Sequence, residues 1–100
     1  MPGYVAILSA ELHFPETGSL KGKRSHVASA KAQLRNRFGA AVAEVGRHEL
    51  WQRCELTAAF VTREEQEARQ LAGRAEQWLA GQDWVLVASD LVVVSPADWE

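Results

Sequence analysis

Between Tyr4 and Phe14 the chain alternates without a break. Ala6, Leu8, Ala10, Leu12 and Phe14 fall on one side, and Val5, Ile7, Ser9, Glu11 and His13 on the other. A period of two belongs to a β-strand, and a second set that is half polar belongs to a sheet with one face open to water. A strand of this length needs neighbours along its edges and a cover over its apolar side. "RCELTAAFVT" (Arg53 to Thr62) repeats the alternation, with Cys54, Leu56, Ala58 and Phe60 as its inward set. "AAVAEV" (Ala40 to Val45) reads as a shorter strand, and Trp84 to Val94 as a last one, apolar on both faces.

The period changes between these strands. Leu20, Val27, Leu34 and Phe38, with Ala30 alongside, fall at helical spacing over Ser19 to Phe38, and Gly39 is a natural stop. Ala68, Leu71, Ala72, Ala75, Trp78 and Leu79 give a second amphipathic helix ending at Gly81. A capping box of Thr62 and Glu65 is expected at its start. The order is β-α-β-β-α-β. The economical solution is an α+β, ferredoxin-like fold: a four-stranded antiparallel sheet with two helices on one face and the first and third strands central. One domain is expected over residues 1–100, with 96–100 a short tail.

Charge is distributed unevenly. Thr17 to Ala43 holds Lys21, Lys23, Arg24, Lys31, Arg35 and Arg37 and no acidic residue, although the net charge is −2. Arg24, Lys31 and Arg35 are spaced i, i+7 and i+11, which makes a ridge along the first helix. Such a ridge on an otherwise acidic body suits a polyanion. No apolar run is long enough to span a bilayer, so no membrane association is expected. The N-terminal stretch has no basic n-region, and Cys54 is the sole cysteine; a cytoplasmic, reducing setting is the expectation.

"GSLKGKRS" (Gly18 to Ser25) resembles a phosphate loop only superficially. Its glycines are too close together for a nucleotide P-loop, and Arg24 stands where the magnesium-binding hydroxyl belongs. Ser19 remains a plausible N-cap, with Lys21, Lys23 and Arg24 near free backbone N–H groups. Gly22 reads either as a close-approach position or as part of a tight turn before a later helix start. His13, His26 and His48 are too scattered for a metal site, and no cofactor or catalytic residue is expected. The outward positions of the central strands carry no aromatic ring, which argues against base reading on the sheet. Val5, Ile7, Val42, Ala59 and Val61 are expected on that open face, where a second copy could cover them as a homodimer. Trp51 is expected to plug the open end of the core; the other reading of a tryptophan there presents its ring at a binding surface.

Two motifs point further. Ser19, Leu20, Lys21, Lys23 and Arg24 form S-L-K-x-K-R; Val42 to Gly46 with Leu50, Trp51, Gln52 and Arg53 form V-A-E-V-G-x-x-x-L-W-Q-R. Together, in this order, they resemble the small bacterial YlxP-like proteins, a domain-of-unknown-function family covering nearly the whole chain. The resemblance implies the ferredoxin-like fold and no established activity. Its gene neighbourhood among translation and ribosome-maturation factors associates it with RNA.

The expected function is a non-enzymatic module binding RNA or a ribosomal particle through Ser19, Lys21, Lys23, Arg24, Lys31 and Arg35. The alternative is a dimeric regulatory domain holding a small anionic ligand, with Glu44, His48, Trp51 and Arg53 as the second half of its site. The alternative needs the two motifs to meet. In this topology they are expected at opposite ends of the sheet.

Overall fold

Alternation in the first strand does what its period demands: Ala6, Leu8, Ala10, Leu12 and the adjoining Phe14 are all buried. The computed structural model describes residues 2–15 and 17–99. Its elements are β1 (Tyr4–His13), α1 (Leu20–Phe38), β2 (Ala41–Gly46), β3 (Arg53–Thr62), α2 (Glu65–Ala80) and β4 (Val85–Val94). The sheet order is β2-β3-β1-β4, every neighbouring pair antiparallel, with β1 and β3 central. This is the α+β, ferredoxin-like arrangement.

The β1–β3 register explains how two flat helices can cover the sheet. Ala6 stands opposite Phe60, Leu8 opposite Ala58, and Ala10 opposite Leu56. Each rung sets a small residue against a large one, so the inward surface is filled at nearly constant volume per rung. The helices answer with small side chains of their own. Ala30 on α1 and Ala68, Ala72 and Ala75 on α2 are fully buried, and Val27, Leu34 and Leu79 fill the space between.

Helix ends follow local chemistry. Ser19 caps α1, its Oγ accepting from the Gly22 N–H at 3.1 Å, and Gly39 ends it in the left-handed conformation at φ 67°. Gly22 is therefore a first-turn helical residue, and no later helix start exists. A Cβ there would lie 3.4 Å from Ser19 Oγ and Thr17 Cγ2, a fit that needs only a slight adjustment. The expected capping box on α2 does not form. Thr62 is held in the β1–β3 ladder opposite Tyr4, too early to be an N-cap, and its hydroxyl donates to the Glu64 carbonyl at 2.7 Å. Glu64 takes the N-cap position without a side-chain bond.

Three further placements differ from the sequence reading. Val42 pairs with the inward Ala58, so it packs against the core, and Ala41 and Ala43 take the open face of β2. The core end is plugged by Trp84, not Trp51. Trp84 Nε1 donates to the Leu79 carbonyl at 3.0 Å, and its ring meets Phe14 and Trp78 edge-on. Residues Pro96–Trp99 form a 3₁₀ turn, tied down where Ser95 N donates to Asp98 Oδ2 and Ser95 Oγ donates to the Gly3 carbonyl. Glu100, the end of the expected tail, lies outside the described residues.

Candidate functional site

The direction of the strands decides where the two sequence motifs lie. β2 and β1 are each antiparallel to β3, so they run the same way and leave the sheet at the same end. The β1–α1 loop and the β2–β3 loop are neighbours there, contrary to the expectation from sequence. Phe14 N donates to the Gln52 carbonyl at 2.7 Å, and the Gln52 side-chain amide reaches the carbonyls of Pro15 and Thr17 at 3.3 and 3.4 Å.

Register also fixes the fate of Glu44. It pairs with the inward Leu56, so its carboxylate is directed under α1. An isolated carboxylate there would carry a large desolvation cost. Lys23, on the buried stripe of α1, offsets it: Nζ lies 3.0 Å from Glu44 Oε2 and donates to the Arg47 carbonyl. Lys23 is only 2% exposed. It is not a surface cation, and its expected place among the RNA-contacting residues is corrected by burial and by this pairing. Glu44 Oε2 is enclosed and takes no well-directed hydrogen bond, so its stability in that position rests on the Lys23 charge.

Arg47 links this pair to the other side of the sheet. It adopts a left-handed backbone at φ 64°, and its carbonyl accepts both from Lys23 Nζ and from Leu50 N at 3.1 Å, closing a tight turn. Its side chain goes to the open face. There Glu11 and Glu55 stand directly opposite each other on β1 and β3, a like-charge pair that would repel. Arg47 lies between them, 3.0 Å from Glu55 and 3.6 Å from Glu11, and Arg53 pairs with Glu11. Gly46 makes room for this network: a Cβ there would come within 2.6 Å of Glu55 Oε2. Glu11 and Arg47 are not among the candidates read from the sequence, and Gln52 is there only as a motif residue. The signal for the first two was available, since the β1–β3 register sets two glutamates face to face.

The basic ridge survives without Lys23. At 100° per residue, Lys21, Arg24, Lys31 and Arg35 fall within an arc of about 80° on the flank of α1 that faces β2. Arg35 Nη2 lies 3.5 Å from the Val42 carbonyl, at the outer limit of a hydrogen bond. Arg37 is on the opposite flank, over the Trp78 ring. Between α1 and β2 runs a groove of about 390 Å³, lined by Leu20, Arg24, Val27, Lys31, Glu44 and His48, with the Lys23 ion pair at its base. His48 Nε2 sits 3.2 Å from the Glu44 carbonyl. None of the four ridge cations has a carboxylate partner among the described residues, whereas Arg47, Arg53, Arg63 and Arg69 are all in ion pairs.

Both motifs thus build one end of the molecule. A family model for proteins of unknown function, DUF503, matches residues 5–89 and so takes in both of them. The chain belongs to this family. The YlxP-like resemblance seen in the two motifs leads to the same group. In this DUF503 member Lys23 of the first motif and Glu44 of the second are each other's partners, and Gln52 and Arg53, which end the second motif, fasten its loop to the β1–α1 loop and to β1. A comparison with curated proteins finds no match. Among the described residues, no helix is long and apolar enough to cross a membrane, and no three metal-ligating side chains converge.

Cys54 lies beneath this region, fully buried on β3. Burial first, and then the Glu44 charge, push its thiol from the ordinary 9.0 up to about 12, against the opposing pull of Lys23. At pH 8 the thiol is then held almost wholly in its protonated, unreactive form. Native protein should react with a thiol reagent only as fast as it unfolds, and denaturant should restore free-thiol rates; rapid labelling without denaturant would contradict the placement. The linkage runs one way. The folded thiol keeps a proton that the unfolded chain gives up, so this contribution is intact below pH 9 and is lost as pH rises toward 12.

Proposed function

We propose that this DUF503 protein is a cytoplasmic, non-enzymatic module that binds RNA phosphates, as on a ribosomal particle, through the α1 flank of Lys21, Arg24, Lys31 and Arg35. One observation carries the reading. These cations share one face and have no carboxylate partner among the described residues, while the arginines of the sheet end are in ion pairs. Unpaired like charges held along a helix are poised to release counterions when phosphates replace them. The Lys23–Glu44 pair supports a binding rather than a catalytic role, since each charge is committed to the other. The test is fluorescence anisotropy of a labelled single-stranded RNA from 50 to 200 mM KCl. Four phosphate contacts give a slope of log K against log salt of about −3, a loss of affinity of about fiftyfold across that range. Binding that is absent, or insensitive to salt, would overturn the reading.

A second reading has its own support. The convergence of the motifs leaves a groove of about 390 Å³, within the range of small-molecule sites, beside Arg24, Lys31 and His48. The open sheet face, where Val61 is 74% exposed, is suited to a second copy. A dimeric domain holding a small anion would give a thermal shift with one phosphate or nucleotide and a doubled mass by light scattering. Neither result is expected if the α1 flank serves RNA alone.

A further inference from the structure

Trp51 is 54% exposed and Leu50 beside it 45%. Among the described side chains no other Phe, Tyr or Trp ring is classed with the exposed large hydrophobics. A tryptophan ring has a large apolar area to bury when a partner meets it. Here both flanks are fixed. On one side the turn is closed by Leu50 N on the Arg47 carbonyl, itself held by Lys23. On the other, Gln52 is bonded three times to the β1–α1 loop, and Arg53 is paired with Glu11. The ring is therefore presented rather than loose, which removes most of the ordering cost that a flexible loop would bring to binding.

We propose that Trp51 is a stacking platform for an unpaired base at the end of the α1 phosphate track, so that single-stranded RNA, not duplex, is the class of nucleic acid this surface takes. The inference rests on the RNA reading above and adds to it the state of the strand. Two features carry it. His48 lines the groove with Arg24 and Lys31, and Trp51 follows three residues later. Three residues reach at most about 11 Å between Cα atoms, and the Arg47–Leu50 turn shortens that span. A short strand following the α1 cations can then meet the ring. Trp51 also borders a recess of about 390 Å³ with Glu49, Leu50, Gln52 and Arg53, which leaves room for a base beside the ring. In a duplex the bases are already stacked on each other and offer no free face, whereas every unpaired base has one.

The experiment compares wild type, Trp51→Ala and Trp51→Phe for binding a labelled ten-nucleotide single strand and a duplex of the same length, at two salt concentrations. Trp51→Ala should bind the single strand about tenfold more weakly, with its salt slope and duplex affinity unchanged, and Trp51→Phe should recover most of the loss. Its melting temperature should match wild type, as expected for an exposed ring. Wild-type affinity of Trp51→Ala for the single strand, with salt-dependent binding intact, would overturn the stacking role and leave the RNA reading standing. An equal loss on single strand and duplex would also overturn it, pointing to a general effect on the surface. If wild type binds neither RNA, the reading itself fails, and the ring serves another partner.

Discussion

Replacing Lys23 by methionine should lower the free energy of unfolding by about 3 kcal/mol, the low end of the cost of removing one partner from a buried ion pair. Methionine is close to lysine in length and follows the same path under α1, so little packing is lost. What is lost is the charge 3.0 Å from Glu44 Oε2 and the donor to the Arg47 carbonyl. Glu44 keeps about a fifth of its side-chain surface exposed, which is why the low end applies. Changing both residues, Lys23→Met with Glu44→Leu, should recover most of the stability, because no unpaired charge then remains under the helix. Lys21→Met, two residues earlier on the exposed flank, should change stability by no more than about 0.5 kcal/mol. Urea denaturation of the four proteins measures all of this. A Lys23→Met variant as stable as wild type would mean that Lys23 is not held where the structure has it.

The second large effect is on binding. The triple variant Lys21→Glu, Arg24→Glu, Lys31→Glu removes three of the four cations from the α1 flank and puts three carboxylates in their place. Lys23 must be left untouched, since a glutamate facing Glu44 would unfold the site and mimic a binding defect. With one cation remaining, the salt slope should fall from about −3 to near zero, and affinity for single-stranded RNA at 50 mM KCl should drop by more than about a hundredfold. Melting temperature should move little, because none of the three is in an ion pair among the described residues. Retained wild-type binding would exclude this flank as the contact surface.

Much of the architecture was legible because period and register are local properties. The alternation of β1 and β3, the Ser19 cap and the Gly39 stop can each be read from a few residues, and each is where the spacing places it. The site was harder, because it depends on which face a residue takes after strands have paired. Lys23 looks like one more member of a basic cluster until Glu44 is seen to point inward opposite Leu56. Val42 changes face because β2 pairs with its neighbour in a register that no local pattern specifies. Trp51 and Trp84 could each have closed the core end. The choice falls to Trp84 because its N–H reaches the Leu79 carbonyl at the end of α2 and its ring meets Phe14 edge-on, the second a contact between distant parts of the chain.

The meeting of the two motifs separates the residues at this end of the fold by role. Lys23, Glu44, Arg47 and Gln52 are fasteners that set the shape and rigidity of one end of the fold. The residues left over, the α1 cations and Trp51, are those with free chemistry. This division separates variants that should lose stability from variants that should lose binding.

The most direct measurement is a backbone amide NMR titration of the ¹⁵N-labelled protein with a short single-stranded RNA. Perturbations concentrated on Lys21 to Arg35 and on His48 to Trp51, with the open face of β1 and β3 quiet, are the predicted result. Perturbations confined to Val5, Ile7, Ala59 and Val61, or none at all at low salt, would contradict the assignment of the α1 flank as the site where RNA is held.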